Sequence, residues 1–219
     1  MVALARILGA MAAVANPVRT DNVEASLLSE VSAAQAGTPF AVALRLKMRP
    51  GWHTYWLNPG DSGQATTIAW TLPEGFKAGP IEWPAPHRIP VGTLVNYGYE
   101  GEVLLLTAIT PPAGFTGPAE LRAQAEWLVC EKICIPEEAA LALTLPVGPG
   151  PAVTDTGLAQ TFAKAVAALP QPSPWPARFA AEAGSLGLWV EAPGLRAGEL
   201  TDVWFFPTDT ALIQHPAPQ

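Results

Sequence analysis

The sequence is poor in positive charge, in histidine and in long apolar runs, and each shortage argues against a class of function. Its 219 residues include 12 lysines and arginines against 19 aspartates and glutamates, a net charge of −7. Without a basic run, this balance argues against an electrostatic nucleic-acid interface. No apolar stretch reaches the roughly 20 residues of a membrane span. Three histidines and no nucleophile motif give little support to an acyl-transfer hydrolase.

Charged residues are also scarce, at 14% of the chain, whereas 24 prolines and 19 glycines are spread along it. Proline cannot donate to a central strand ladder, and both residues interrupt long helices, so short strands joined by many turns are predicted. The expected fold class is all-β, an immunoglobulin-like β-sandwich followed by a partial second β-domain. The seven candidate strands of the sandwich are residues 23–32, 40–48, 66–71, 79–82, 102–109, 119–128 and 139–145.

The first fifteen residues are expected to be a signal peptide. They combine Arg6 with a short apolar run and end in Ala13-Val14-Ala15, a small-x-small cleavage pattern. The alternative is a ragged start or a hydrophobic N-terminal strand. Export would let the cysteines mature in an oxidising compartment, where a disulfide persists.

Composition divides the rest of the chain into three parts. Residues 16–148 form the predicted sandwich domain. Residues 149–176 contain one helical pattern, at 161–169, followed by a stiff connector with proline at every second position. Residues 177–219 carry three strand patterns and are interpreted as the start of a second β-domain that is truncated, because three strands seldom form a stable domain alone. The alternative is an extension packed on the first domain.

The only two cysteines lie in one short segment, Cys130-Glu131-Lys132-Ile133-Cys134. A disulfide between them closes a loop too small to add much chain-entropy stabilisation. Four residues of extended strand span roughly 13 Å, whereas bridged Cα atoms lie within about 4.4–6.8 Å. The intervening residues must therefore turn, as a hairpin tip or as one helical turn. Strained or exposed disulfides exchange faster than structural ones, so the pattern favours a bond made to be opened.

Two other interpretations of the cysteine pair are open from the spacing. The pair is a local clip on a secreted β-domain, or it is part of a metal site. A metal site would need further ligands from His53, His87 or His215, which are distant in sequence.

Three motifs accompany the cysteines. The first runs from Pro50-Gly51-Trp52-His53-Thr54-Tyr55-Trp56 to Gly63, the second is Asn96-Tyr97-Gly98-Tyr99-Glu100-Gly101, and the third is the cysteine segment ending in Ile135-Pro136-Glu137-Glu138. Together they resemble the N-terminal periplasmic (alpha) domain of the DsbD/ScsB family of thiol-disulfide interchange proteins. The resemblance covers residues 22–147 and is closer to the ScsB-like branch. The combination is far more specific than a lone cysteine pair.

The resemblance implies an immunoglobulin-like domain with protein-disulfide reductase activity and no cofactor or metal. Such a domain takes two electrons from a thioredoxin-like domain of the same membrane protein. It passes them to periplasmic substrates such as disulfide isomerases or other thioredoxin-fold proteins. Cys134 resembles the cysteine that forms mixed disulfides, and Cys130 its resolving neighbour. In the better-known branch the two cysteines are further apart, which leaves the assignment of the nucleophile less secure than the pair itself.

The resemblance also implies a cap over the disulfide, at the segment containing Asn96, Tyr97, Gly98 and Tyr99. Tyr97 is the candidate lid, and Gly98 would give the backbone freedom to move it. The alternative is that Tyr97 and Tyr99 point to the same side of a strand and pack in the sheet. The aromatic cluster around His53 is interpreted as packing, with His53 able to orient a thiol or bind a metal.

Two functions from other classes stay open at this stage. One is a non-catalytic immunoglobulin-like binding module with a structural disulfide. The other is a copper-binding domain linked to copper tolerance, because two thiolates and a histidine suit Cu(I). The implied location is the periplasm, as the soluble N-terminal part of an inner-membrane protein with no segment inserted in the membrane.

Overall fold

The computed structural model describes residues 17–182, 184–196, 198, 202–217 and 219, so the expected signal peptide lies outside the described residues. Most of the described chain is extended. The strands are β1 (Val18–Arg19), β2 (Val23–Ser29), β3 (Val31–Gln35), β4 (Phe40–Met48), β5 (His53–Gly60), β6 (Thr67–Thr71), β7 (Lys77–Glu82), β8 (His87–Val91), β9 (Leu94–Glu100), β10 (Glu102–Thr110), β11 (Gly117–Cys130), β12 (Cys134–Gly148), β13 (Val153–Thr154), β14 (Ala177–Glu182) and β15 (Ser185–Val190). Helix α1 spans Ala159–Ala167.

The strands form two large sheets that face each other. One has the order β1-β2-β4-β10-β7, and the other has the order β13-β3-β12-β11-β5-β9-β8, with β6 also paired to β11. Pairing is antiparallel except where β12 meets β3. The predicted all-β sandwich is therefore confirmed.

One apolar core fills the space between the sheets. Leu44 and Leu105 contribute from the first sheet, and Leu121 and Val129 contribute from the second, all without solvent exposure. Along β11 every second residue from Ala119 to Val129 is buried, as expected for a strand with one face on the core. Burial of these side chains stabilises the sandwich at roughly 25 cal/mol per Å² of apolar surface.

Helix α1 covers the outer face of the first sheet. Its Phe162 and Ala165 pack on Ala43 and Leu106, which alternate with the core residues of β4 and β10. The turn before the helix is fixed by Asp155, whose Oδ1 accepts the backbone N–H groups of residues 157 and 158 at 2.9 and 3.3 Å. The observed helix therefore begins and ends two residues before the helical pattern predicted at 161–169.

The C-terminal part of the chain packs partly on the sandwich. After the β14–β15 hairpin, Phe206 lies against Trp56 and Tyr97 at centroid distances of 6.2 and 5.0 Å. Asn58 Nδ2 donates a hydrogen bond to the carbonyl of Pro207 at 2.7 Å. Residues 202–206 form no strand, contrary to the pattern that suggested one. Among the described residues, no helix is long and apolar enough to cross a membrane.

Gly98 permits a close approach of β9 to β5, and its substitution tests that packing. A Cβ at this position would overlap the backbone carbonyl oxygen of Thr54. We expect Gly98→Ala to lower the free energy of unfolding by about 1–3 kcal/mol, because a backbone clash forces the two strands apart. Urea denaturation of the oxidised protein measures this loss.

Gly114→Ala is the matched control, since a Cβ there has no neighbour within 4 Å. Its free energy of unfolding should stay within about 0.5 kcal/mol of the unmodified protein. Equal stability of the two variants would contradict the close approach of β5 and β9.

Candidate functional site

The two cysteines join the ends of one long hairpin. β11 and β12 pair without interruption from Gly117↔Val147 to Cys130↔Cys134. Residues 131–133 form the turn, closed by a hydrogen bond from the Glu131 N–H to the Ile133 carbonyl at 3.2 Å. The sulfurs form a disulfide, with the Cα atoms 4.2 Å apart. Of the two geometries predicted from the spacing, the hairpin tip is the one observed.

The disulfide lies on the face of the second sheet that is turned away from the core. Trp127 and Val129 belong to the core, so Cys130 points to the opposite side of β11. Cys130 is nevertheless only 3% exposed, whereas Cys134 is an exposed residue. The two halves of the disulfide therefore differ in their access to solvent and to a partner protein.

Tyr55 on β5 covers the buried half of the disulfide. Its hydroxyl donates a hydrogen bond to Cys130 Sγ at 2.8 Å and lies 3.6 Å from Cys134 Sγ. The ring is 1% exposed. Burial raises the pKa of Tyr55, which keeps the hydroxyl protonated and able to donate. A fixed donor therefore faces the sulfur that would carry charge if the bond opened.

Residues 61–63, which follow β5 and are here named the cover loop, hold Tyr55 in this position. A side chain on Gly63 would overlap the Tyr55 ring, so the loop backbone lies directly against it. Asp61 Oδ2 accepts the Val95 N–H at 2.7 Å, and Ser62 donates through its N–H and its hydroxyl to Asn96 Oδ1 at 3.1 and 3.0 Å. The cover loop is thereby tied to β9.

His53 occupies the same face, two residues before Tyr55. It pairs with Cys130 across the β5–β11 contact, and its ring meets the Tyr55 ring edge-on at 5.3 Å. Burial lowers the pKa of His53, and the charge of Glu100 opposes that shift. The imidazole Nε2 is buried and has no hydrogen-bond partner.

The residues predicted to form the cap divide between the two faces of β9. Gly98 pairs with Tyr55, so Asn96 and Gly98 lie on the disulfide side and Tyr97 and Tyr99 lie on the core side. The Tyr97 hydroxyl contacts His215 Nδ1 at 3.1 Å, and the Tyr99 hydroxyl donates to the Pro84 carbonyl at 2.8 Å. Neither tyrosine reaches the sulfurs in this structure, because strand residues alternate between faces.

The three histidines have different surroundings. His53 lies beside the disulfide, His87 is exposed on β8, and His215 is buried against Tyr97. Within the described part of the chain, no group of three or more histidine, cysteine, aspartate or glutamate side chains is arranged to hold a metal ion.

The sequence pattern around Tyr55 predicts a packing residue and does not reveal its contact with the sulfurs. The signal that was available is the spacing of His53 and Tyr55, which places both on one face of a strand. What the sequence does not reveal is that β5 lies beside the end of β11, a contact between residues far apart in the chain.

Comparisons with known proteins agree with the fold and with the family expected from the sequence. The model of the family "Thiol:disulfide interchange protein DsbD, N-terminal" matches residues 24–146. The N-terminal periplasmic domain of ScsB from Proteus mirabilis is similar in structure, with a TM-score of 0.65 and 21% identity, over 84% of this chain and 70% of that one. A cohesin module from a Clostridium perfringens family 33 glycoside hydrolase gives a TM-score of 0.37 and 12% identity, over 58% of this chain and 98% of that one. No curated protein matches.

The ScsB domain and this chain share a fold, which agrees with the immunoglobulin-like sandwich predicted from the sequence. The family match covers more than half of the chain and includes both cysteines and the strands around them. This chain therefore belongs to the family of DsbD N-terminal domains of thiol:disulfide interchange proteins.

Proposed function

We propose that the chain is a periplasmic thiol-disulfide exchange domain, a protein-disulfide reductase that uses Cys130 and Cys134 as its redox pair. The observation that carries the proposal is the asymmetric disulfide at the hairpin tip. Cys134 is exposed, while the buried Cys130 sulfur accepts a hydrogen bond from Tyr55. Membership in the family supports the same chemistry.

The proposed partners are one electron donor and several electron acceptors. A thioredoxin-like domain of the same membrane protein supplies two electrons, and periplasmic proteins of the thioredoxin fold accept them. No cofactor takes part, because the dithiol itself carries both electrons. Ile133, 67% exposed next to Cys134, offers an apolar contact to either partner.

The difference in solvent access between the two cysteines supports different roles for them in this proposal. In the reduced domain the Cys134 thiolate attacks a partner disulfide, and one partner sulfur leaves as a thiolate and takes up a proton. Cys130 then loses its proton and attacks Cys134 Sγ in the mixed disulfide, which releases the second partner sulfur. The domain ends oxidised, and the partner has gained two electrons and two protons.

Tyr55 acts on the buried sulfur. When a donor thiolate attacks Cys134, Cys130 is the leaving group and develops negative charge 2.8 Å from the Tyr55 oxygen. A hydrogen bond to a charged group contributes about 1.5–3 kcal/mol, more than one to a neutral group. The hydroxyl therefore favours cleavage in which Cys134 is the attacked sulfur.

The cap residues take revised roles in this proposal. Asn96 holds the cover loop through Ser62, and Gly98 lets β5 approach β9 beneath Tyr55. Tyr97 and Tyr99 keep β9 on the core. A partner would displace the cover loop rather than a tyrosine lid.

Equilibration with glutathione buffers tests the proposed function. We expect a reduction potential above about −300 mV, since structural disulfides lie below that value and exchangeable ones above it. The fraction of reduced Cys130 and Cys134 is measured by acid quenching, alkylation and mass spectrometry. A bond that stays closed in the most reducing buffers would instead support a structural clip.

Single cysteine variants test the assigned roles. Cys130→Ser should accumulate a mixed disulfide with an oxidised thioredoxin-fold partner, because the exposed Cys134 still attacks and no resolving thiol remains. Cys134→Ser should accumulate none, since Cys130 is buried. Non-reducing electrophoresis distinguishes the two, and the reverse pattern would overturn the assignment.

Tyr55→Phe tests the hydrogen bond to the leaving sulfur. We expect the disulfide to be opened by dithiothreitol about tenfold more slowly, which corresponds to about 1.4 kcal/mol of lost stabilisation. Tyr99→Phe is the matched control, because it removes a buried hydroxyl that binds Pro84 and not the sulfurs. Equal rates in both variants would show that the Tyr55 hydroxyl does not assist cleavage.

A further inference from the structure

His53 presents an unsatisfied polar atom beside the redox pair. The residue is 4% exposed, and its Nε2 has no hydrogen-bond partner. An unpaired buried polar group destabilises a fold, and most buried polar groups in folded proteins are paired. A phenylalanine in this place would avoid that penalty, so the nitrogen calls for an explanation.

The position of His53 connects that nitrogen to Cys130. The two residues are directly opposite each other on β5 and β11, where side chains of antiparallel partners have Cβ atoms about 4.5–5.5 Å apart. Opening the disulfide frees the Cys130 side chain to turn about χ1. A rotation about χ1 can turn its thiol toward the imidazole, because side chains paired across these two strands are neighbours.

The titratable groups that face His53 come from three strands. Cys130 lies opposite on β11, Glu100 lies opposite on β9, and Tyr55 lies two residues further along β5. The Tyr55 hydroxyl is a donor, and Glu100 is the one carboxylate among these groups. The imidazole Nε2 has no partner and lies on the residue paired with Cys130, which makes it the candidate acceptor for a thiol proton.

We propose that His53 accepts the proton of the Cys130 thiol and thereby prepares this cysteine to resolve the mixed disulfide. The inference rests on the proposed function and assigns the base for its second step. It gives the unpaired nitrogen a partner that exists only after reduction.

The step balances without a further reactant. The proton passes from Cys130 Sγ to His53 Nε2, and the resulting thiolate attacks Cys134 Sγ. A sulfur-sulfur bond forms between the two cysteines, while the bond from Cys134 to the partner breaks. The partner sulfur leaves as a thiolate and takes up a proton, and the imidazolium returns its own proton to water.

The proposal requires His53 to be neutral in the oxidised state and to gain affinity for a proton after reduction. In the oxidised state, burial holds the pKa of His53 below its usual range against the opposing charge of Glu100. The imidazole is therefore neutral and able to accept a proton. A Cys130 thiolate would favour the imidazolium, so reduction raises the pKa of His53 and the histidine lowers the pKa of Cys130.

Titration of the unmodified protein by NMR tests this coupling. We expect the His53 imidazole to titrate about one pH unit higher in the protein reduced by dithiothreitol than in the oxidised protein. A variant without either thiol, Cys130→Ala with Cys134→Ala, is the control, and dithiothreitol should leave its His53 titration unchanged. Identical His53 titrations in the two states would overturn the proposal.

His53→Gln tests the same coupling from the cysteine. The pKa of Cys130 in the reduced variant, read from its 13Cβ chemical shift, should rise by about one unit, which lowers the thiolate fraction at neutral pH about tenfold. Resolution of the mixed disulfide should slow by a smaller factor, about threefold, because a thiolate of higher pKa is more nucleophilic, and the rate should lose its inflection near neutral pH. His87→Gln is the matched control and should change neither quantity.

A folded His53→Gln protein with an unchanged Cys130 pKa would also overturn the proposal. If this variant does not fold, the titration of the unmodified protein decides the question. Both titrations omit the partner protein, so they remain interpretable even if the domain proves not to exchange disulfides.

Discussion

The short contact between β5 and β11 is the constraint on which the site depends. β11 pairs with β6 along its middle and meets β5 only at its end, where His53 lies opposite Cys130. Because strand residues alternate, this one pairing also directs Tyr55 to the side of the disulfide. A shift of one residue in this register would turn both polar rings into the core and leave Cys130 without its cover.

The two cysteines differ in solvent exposure because of the contact between β5 and β11, not because of the hairpin itself. Cys130 and Cys134 occupy equivalent positions on paired strands, and an isolated hairpin would expose both. Tyr55 and the cover loop bury Cys130 alone. In the proposed exchange, a bulky thiol reaches the exposed Cys134, and the charge that develops on the Cys130 sulfur meets the Tyr55 hydroxyl as a preformed donor.

The sequence predicts the sandwich, a turn between the two cysteines and the helix, because each leaves a local pattern, but it does not decide whether that turn is a hairpin tip or a helical turn. β5 and β9 were not predicted, and their burial explains why. In β5, His53, Thr54, Tyr55 and Trp56 are all buried, and β9 is buried from residue 95 to residue 99. One face of these strands lies on the core, and the other lies under the disulfide and the cover loop. The alternation of apolar and polar residues that identifies a half-exposed strand is therefore lost. Without strand boundaries, the faces of Tyr97 and Tyr55 could not be assigned.

The covered sheet face explains both why β5 and β9 lack alternating polarity and why polar side chains lie beside the disulfide. A sheet face turned away from the core is ordinarily wet, and its polar groups are satisfied by water. Here that face is covered, so Tyr55 needs the sulfur as its acceptor and His53 is left with an unsatisfied nitrogen. A fold selected for stability alone would place apolar side chains at both positions. Their position beside the disulfide supports the proposed thiol exchange, because both polar groups would meet the charges that appear only when the bond opens.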